Sequence, residues 1–328
     1  MCTRLVDLLV CDFDETITQN DSICELANLA YEKRARTGKC PTPPNCPSIL
    51  SSNDNDEECP PPWSYFVELY FKEYKEHIKR WREQHSDKTL HDHFKMLESL
   101  KKVENISIDR IEAYGCMKGV CYHELVERGK LIKKKDDALD ILRNFISKEQ
   151  SQNCHDYVLL EEPNSTFTNE ITGRNLYIIS TNWSKDIILG SLFELTSENK
   201  FDRENIFSND LVFNNDDCSI GKLDRKVLCA NDKLKIFSQL NTSKSNMSVY
   251  IGDSDTDLPC LLQADIGIIM GNNRSLTKHC YKYEIEIVEG LADFESCNID
   301  DLYGESEQRN KLYRIQTWKE ISDSGLLD

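Results

Sequence analysis

From residue 176 onward, short apolar runs alternate with segments of helical periodicity, and this alternation constrains the fold more than any other feature. Helical spacing predicts helices over Ser184–Leu195, Lys233–Leu240 and Asp255–Leu262. Strands separated by helices favour a parallel sheet with helices on both faces, so we predict an α/β, Rossmann-like core. The runs predicted to be strands are Leu176–Ser180, Asn205–Ser208, Leu211–Phe213, Met247–Gly252, Ile266–Met270 and Ile285–Val288.

A further apolar run, residues 5–11, is predicted to be a buried strand that precedes a long helical insertion. Apolar residues recur at helical spacing from Asp21 and again from residue 63 to about 147, whereas a Pro/Asn-rich loop is expected at about 37–62. We therefore predict a core formed by residues 1–20 and 175–328. Residues 21–174 are predicted to form an all-helical cap inserted after the first strand, and the C-terminal segment around Tyr313 and Trp318 is predicted to be helical.

Composition narrows the class of protein. The net charge of -17 argues against nucleic-acid binding, because no basic face could easily offset it. The sequence contains no apolar run of the length that a membrane span needs, and the N-terminus lacks the pattern of a signal peptide, so we expect a cytoplasmic protein with no membrane contact. The 14 cysteines are then expected to be reduced thiols, and the spacing of Cys40, Cys46 and Cys59 fits no standard zinc pattern.

Polar residues follow three of the predicted strands at the points where the strands end. Because the carboxyl ends of parallel strands meet at one edge of a sheet, we expect these side chains to converge, together with a lysine at the start of a helix. The residues are Asp12 and Asp14 after the first strand, Ser180, Thr181 and Asn182 after the second, Asp253 and Asp257 after a third, and Lys233.

Such a convergence suits phosphoryl transfer. Asp12 and Asp253 supply the hard oxygen ligands that Mg²⁺ prefers, and a carboxylate such as Asp12 can also attack phosphorus. Asp14 would protonate the leaving group and then activate water. Ser180 and Lys233 would hold the phosphoryl oxygens, assisted by backbone N–H groups near Thr181 and Asn182.

Each of these residues also has an ordinary structural interpretation. Ser180 is equally typical of a helix N-cap, the Gly252–Asp253 pair of a turn, and Lys233 of an exposed surface, with Lys235 as a rival for its role. The order and spacing of the whole set favour the functional interpretation over these separate ones.

The motifs "DFDET", "IIST", Lys233 and "GDSDTD", in that order, resemble the four motifs of haloacid dehalogenase (HAD) superfamily phosphatases. The resemblance implies that Asp12 is the nucleophile, Asp14 the acid/base, and Ser180 and Lys233 the phosphate-binding residues. It also implies an Mg²⁺ site, which we assign to Asp12, Asp14, Asp253 and Asp257. The position of the insertion is similar to the type 1 helical cap of the phosphoserine phosphatase branch. Thr256 departs from the Asn that is common in that branch.

Longer stretches, such as "VYIGDSDTDLPCLLQADIGIIM", are similar to the phosphatase domain of plant thiamine monophosphate phosphatases and, more loosely, to fungal HAD proteins linked to cold tolerance. This resemblance suggests a small cationic phosphate ester as the substrate. Asp21 would then face the cation, although it is equally suited to cap a helix. Phosphoserine, phosphocholine or a sugar phosphate remain alternative substrates, and an inactive HAD-fold binding or regulatory protein is an alternative from another class. A dehalogenase fits poorly, since carbon–halogen cleavage needs no Mg²⁺ site. The oligomeric state is left open.

Overall fold

The computed structural model of this protein describes residues 6–36, 60–148, 174–198, 201–242, 247–292 and 310–328. Within them, seven strands form one sheet in the order β3-β2-β1-β6-β7-β9-β8, and every neighbouring pair is parallel. Two further strands, β4 and β5, form an antiparallel hairpin. The predicted parallel α/β core is therefore confirmed. The strands are β1 (Val6–Cys11), β2 (Asn175–Ile179), β3 (Ile206–Phe207), β4 (Asp210–Phe213), β5 (Ser219–Asp224), β6 (Met247–Gly252), β7 (Ile266–Met270), β8 (Glu286–Glu289) and β9 (Lys311–Ile315).

Helices cover both faces of this sheet, as predicted. On β1, Leu9 and Cys11 face a cluster with α6 and α7, whereas Leu8 and Val10 face a cluster with α8, α9 and α10. Among the described residues, no helix combines the length and apolarity that a membrane crossing requires. The helices are α1 (Ile23–Arg36), α2 (Trp63–Gln84), α3 (Leu90–Ser99), α4 (Lys101–Ala113), α5 (Tyr122–Lys130), α6 (Ala138–Ser147), α7 (Lys185–Ser191), α8 (Ala230–Leu240), α9 (Leu258–Gln263), α10 (Arg274–Lys282) and α11 (Lys319–Ser324).

The central strand β1 explains why the apolar run at the N-terminus ends in acids. Leu9 pairs with Leu176 of β2 on one side and with Val249 of β6 on the other, so both faces and both edges of β1 are covered. A strand in that position must be apolar throughout. Because β1, β2 and β6 run in the same direction, the polar residues that follow them lie at one edge of the sheet.

Helices α1, α2, α4 and α5 form a second apolar cluster outside the sheet, and this cluster also includes Leu211 and Leu223 of the β4–β5 hairpin. Strand β5 was not predicted. The β4–β5 hairpin belongs to the segment predicted as core, but it packs against helices that were predicted to form the cap. Helix α6 instead packs its Leu142 and Phe145 against the sheet. The boundaries of the cap at residues 21 and 174 remain a prediction.

Two expectations are corrected. Tyr313 lies on β9, between β7 and β8, and not on a helix, while Trp318 directly precedes the short helix α11. Cys121 and Cys218 form a disulfide between the start of α5 and the turn of the β4–β5 hairpin, so the expectation that all cysteines are reduced is wrong for this pair. Of the loop predicted at about 37–62, residues 37–59 lie outside the described residues, and so do its Cys40, Cys46 and Cys59.

Candidate active site

Asp12 begins the site at the carboxyl end of β1. Its backbone N–H donates to the carbonyl of Ile251 at 2.9 Å, which extends the pairing with β6 by one residue. Its Oδ1 accepts a hydrogen bond from the N–H of Phe13 at 2.7 Å. The side chain is 6% exposed, so the carboxylate is fixed by the strand while one edge stays accessible.

Lys233 reaches the same point from the first turn of α8 and is fully buried. Its Nζ lies 2.8 Å from Asp12 Oδ2 and 2.8 Å from Asp257 Oδ1. Burial lowers the pKa of an ammonium group, but the charges of these two carboxylates outweigh it and raise the pKa of Lys233, so the lysine is protonated. Lys235, the rival for this role, is exposed on the outside of α8.

Asp12, Asp253 and Asp257 bring three buried carboxylates together, with one oxygen of each within 4.8 Å of the others. Burial, and then the charge of Asp257, raise the pKa of Asp12 well above its usual value and that of Asp253 to about 7. One lysine does not offset three carboxylates. Clustered hard oxygen donors with excess negative charge fit Mg²⁺, which commonly takes one or two carboxylates and completes its shell with water and phosphate.

Asp257 is the most firmly held of the three. Its Oδ1 accepts from Lys233 and from the Tyr250 hydroxyl at 2.9 Å, and its Oδ2 accepts from the backbone and side chain of Ser254. The absence of a side chain at Gly252 makes room for it, because a Cβ there would lie 2.5 Å from Asp257 Cγ. With both oxygens occupied, Asp257 orients Lys233 and leaves Asp12 and Asp253 as the more available ligands.

Asp14 lies outside that carboxylate cluster. Its Oδ1 accepts from the N–H and hydroxyl of Ser22, at 2.8 and 2.5 Å, and its Oδ2 accepts from Asn182 Nδ2 at 3.0 Å. Burial, and then the charge of Asp21, raise the pKa of Asp14 to about 6, although the hydrogen bonds from Ser22 and Asn182 oppose the shift. A carboxyl group with a pKa close to neutrality suits a general acid and base.

The residues after β2 form the third side of the site. Ser180 is buried, and its Oγ accepts from the N–H of Asn182 at 3.1 Å. The side chain of Thr181 is exposed, while its carbonyl accepts from Asn209 Nδ2 at 3.0 Å. Asn209 also donates to the carbonyl of Val227, so it ties this turn to the segment that leads into α8.

Asp21 lies at the entrance of the site, where it is exposed and its Oδ1 accepts from the N–H of Ile23 at 2.8 Å. This contact is the helix-capping interaction expected of it. The charge of Asp21 also raises the pKa of Asp14 and of Tyr70 on α2, so its carboxylate lies near both residues. The two interpretations of Asp21 are therefore compatible.

Sequence patterns alone did not reveal a half-buried pair on the cap, formed by Tyr70 of α2 and Glu104 of α4. The Tyr70 hydroxyl donates to Glu104 Oε1 at 2.5 Å, and burial raises the pKa of Glu104 to about 7. Burial, together with the charges of Glu104 and Asp21, raises the pKa of Tyr70. Within the described ranges, no lysine or arginine forms an ion pair with Glu104. Asp21, and Glu104 at pH values above about 7, thus give the cap side of the site a negative character, whereas the Tyr70 hydroxyl stays uncharged.

The chain is similar over nearly its whole length to curated fungal and plant proteins. Cold tolerance protein 1 of Saccharomyces cerevisiae is 24% identical over 338 residues, which is 96% of this chain and 96% of that protein. The mitochondrial bifunctional TH2 protein of Arabidopsis thaliana is also 24% identical over 96% of this chain, which spans only 48% of the plant protein. The predicted resemblance to fungal cold-tolerance proteins is confirmed. No family model matches the chain.

Among solved structures, a phosphoserine phosphohydrolase-like protein from Francisella tularensis aligns with 97% of this chain and 98% of its own, at 14% identity and a TM-score of 0.46. A substrate-bound phosphoserine phosphatase aligns with 83% of this chain at 14% identity and a TM-score of 0.43. At such values these structures carry no argument about activity.

Proposed function

We propose that this chain is an Mg²⁺-dependent HAD-type phosphomonoesterase that works through an aspartyl-phosphate intermediate. The observation that carries the proposal is the contact between the buried ammonium of Lys233 and the carboxylate of Asp12, at the end of a central strand and beside Asp253. A structural role alone gives no reason to concentrate three carboxylates and one lysine in a buried position, because each buried charge is costly.

In the first step a carboxylate oxygen of Asp12 attacks phosphorus, and the bond between phosphorus and the ester oxygen breaks. Asp14 donates its proton to the departing alkoxide, which its pKa of about 6 permits near neutral pH. In the second step Asp14 takes a proton from water, whose oxygen attacks phosphorus and releases phosphate and free Asp12. Lys233 and Ser180 hold the phosphoryl oxygens, with backbone N–H groups near Thr181 and Asn182.

Asp12 and Asp253 would hold Mg²⁺, while Asp257 would orient Lys233 beside them. The participation of Asp14 in binding the metal stays a prediction. When bound, Mg²⁺ neutralises charge on the phosphoryl oxygens. Without it, Asp12 is the residue most affected, because burial and the charge of Asp257 raise its pKa, although Lys233 opposes the shift.

For the substrate we propose a small cationic phosphate ester similar to thiamine monophosphate, hydrolysed in the cytoplasm. The motifs shared with the plant phosphatase domain support this proposal, as does the negative character that Asp21 and Glu104 give to the cap side. A cationic leaving group would be attracted there, whereas a second anionic group would be repelled. Phosphoserine and phosphocholine also carry a cation and are the main alternatives, followed by sugar phosphates.

Phosphate release from a panel of esters tests both the phosphatase activity and the preference for a cationic substrate. The panel contains thiamine monophosphate, phosphocholine, phosphoserine, a sugar phosphate and an aryl phosphate with an uncharged leaving group. Each is measured with Mg²⁺ and with a chelator. We expect Mg²⁺-dependent hydrolysis of the aryl phosphate and a higher kcat/KM for cationic esters. Higher turnover of the sugar phosphate would reject the cationic substrate while leaving the phosphatase intact.

Asp12→Asn separates catalysis from folding. Activity should be lost, while thermal stability should stay near or above that of the wild type, since the substitution removes one of three crowded carboxylates. Asp216→Asn, at an exposed turn position of the β4–β5 hairpin, is the matched control and should keep full activity. Normal turnover by Asp12→Asn, or no hydrolysis of any ester by the wild type, would favour the inactive binding protein or another mechanism.

A further inference from the structure

A second cluster of metal-ligating side chains lies between the helical cap and the loop that follows β6. It consists of His93 on α3, Asp255 in the loop and His279 on α10, and one ligand atom of each lies within 4.8 Å of the others. His279 Nδ1 lies 2.7 Å from Asp255 Oδ1. His93 Nε2 approaches the same oxygen at 3.8 Å. Three separate parts of the sequence therefore converge on one carboxylate oxygen.

His93 is the unusual member of the cluster. Its side chain is 1% exposed, and among the described residues its Nε2 has no hydrogen-bond partner. The distance of 3.8 Å to Asp255 is too long for a hydrogen bond, although the atom points toward that carboxylate. A buried polar atom without a partner is unfavourable, and a ligand that binds His93 Nε2 would remove that cost.

The surroundings hold the cluster in place. The ring of Tyr283 packs 5.3 Å from that of His93 and 6.4 Å from that of His279. The Tyr283 hydroxyl donates to Asp87, just before α3, at 2.7 Å.

We propose that His93, Asp255 and His279 bind a Zn²⁺ ion that fastens the cap helix α3 to the loop after β6. Two imidazoles and a carboxylate with a fourth position for water form a ligand set typical of zinc. Tetrahedral ligands about 2.0–2.1 Å from the metal lie roughly 3.3 Å apart, a value between the 2.7 Å from His279 Nδ1 to Asp255 Oδ1 and the 3.8 Å from His93 Nε2 to the same oxygen.

This site differs from the carboxylate cluster in its ligand atoms and in what a bound metal would do there. Asp12, Asp253 and Asp257 offer only oxygen, which suits Mg²⁺, whereas the imidazoles favour a transition metal. Asp255 lies between Asp253 and Asp257 in sequence, so a metal on it would also restrain the loop that carries those two residues. The zinc proposal does not depend on the phosphatase activity and is tested without it.

The experiment uses the full chain after removal of metals with a chelator. Calorimetric titration with Zn²⁺ should reveal one tight site, which should persist in Asp253→Asn because that substitution removes a ligand from the carboxylate cluster only. His93→Gln and His279→Ala should each weaken this binding by at least about 10–100-fold, the loss that removal of even a supporting residue causes. Titration with Co²⁺ adds a visible spectrum that reports tetrahedral nitrogen and oxygen ligation.

His91→Ala is the matched control, since His91 lies on the same helix but is exposed, and it should bind Zn²⁺ like the wild type. Circular dichroism confirms that each variant is folded. His279→Ala removes a ligand whose side chain is 13% exposed, and it leaves His93 and the buried packing around it in place. The proposal is overturned if the wild type lacks a tight site, if His279→Ala binds Zn²⁺ as tightly as the wild type, or if His91→Ala weakens binding equally.

Discussion

The ammonium group of Lys233 lies 2.8 Å from the carboxylate of Asp12, and both groups are buried. A pair of this kind contributes little net stability, because the attraction between the charges mainly offsets the loss of their hydration. Its geometry has a different consequence. In the proposed mechanism Asp12 attacks phosphorus, and Lys233, which lies beside its carboxylate, would bind a phosphoryl oxygen. The proposed catalysis explains the pair better than folding does.

Removing Lys233 should destabilise the protein strongly. Lys233→Met leaves Asp12 and Asp257 buried without their cation, and breaking a buried pair in this way typically costs about 3–5 kcal/mol. Urea unfolding in the absence of divalent metal measures the loss. Lys235→Met, an exposed position of the same helix, is the control and should stay within about 0.5 kcal/mol of the wild type.

The double variant Asp12→Asn/Lys233→Met should recover part of that stability, because one of the two unpaired carboxylates is then neutral. Equal losses in the single and the double variant would mean that the cost comes from packing around the lysine stem and not from charge.

Gly252→Ala tests whether Asp257 needs the space that glycine leaves. The added Cβ would lie 2.5 Å from Asp257 Cγ, and Asp257 is held by several donors and cannot move freely. We expect a loss of about 1–3 kcal/mol in unfolding free energy, together with weaker activity and a higher Mg²⁺ requirement. Calorimetry and Mg²⁺ titration of the rate provide the two measurements.

Gly271→Ala is the comparison for that experiment. Gly271 has φ +78° and open space around the position of a Cβ, so its substitution adds backbone strain without touching Asp257. If Gly271→Ala changes the Mg²⁺ requirement as much as Gly252→Ala does, the close approach between Gly252 and Asp257 has no special role.

Glu104 should make stability depend on pH. Burial raises its pKa to about 7 in the folded state from the ordinary value of 4.5, so the folded protein binds the proton more tightly than the unfolded chain does. Its contribution is therefore most favourable at low pH and declines as the pH rises from about 4.5 to 7. Glu104→Gln removes this decline in the free energy of unfolding. The variant should therefore be as stable as the wild type at pH 4.5 and more stable by about 1–3 kcal/mol above pH 7.

Denaturant unfolding of both proteins at several pH values gives this difference directly. The glutamine carbonyl still accepts from the Tyr70 hydroxyl, so the substitution changes the charge and little else. A constant difference across the pH range would show that Glu104 titrates normally in the folded protein.

The same Glu104→Gln variant tests the cationic substrate. With one negative charge removed from the cap side, KM for a cationic ester should rise by roughly 10-fold, the effect of about 1.4 kcal/mol, while KM for a neutral aryl phosphate should stay unchanged. Steady-state kinetics with both esters at pH 8 makes the comparison. An equal change for both esters would assign Glu104 a structural role instead.

The sequence predicted most of the candidate active site because parallel strands bring their carboxyl ends together at one edge of the sheet. Asp12 and Asp253 follow β1 and β6, which are adjacent in the sheet, so a correct assignment of strands was enough to place them near each other. Lys233 was placed by its position at the start of a predicted helix and by the resemblance to known motifs. Local sequence alone did not distinguish it from Lys235.

Residues that meet only through the tertiary fold left no such signal. Tyr70 and Glu104 lie on different helices, and His93 and His279 are separated by most of the chain, so no periodicity connects them. Strand β9 has only five residues and carries two charged side chains, which is too short a segment for a reliable pattern. Its place between β7 and β8 depends on pairing that sequence reasoning did not reach.

The disulfide between Cys121 and Cys218 should stabilise the protein only under oxidising conditions. It closes a loop between residues 97 positions apart, and the chain-entropy treatment assigns such a loop roughly 4–5 kcal/mol. Cys218→Ser should therefore unfold at a lower temperature than the wild type without reductant, whereas the two should coincide in its presence. Cys24→Ser, at an exposed free cysteine, is the control and should match the wild type in both conditions. A wild-type Tm that reductant leaves unchanged, with both thiols accessible to titration, would mean that this pair is reduced in solution.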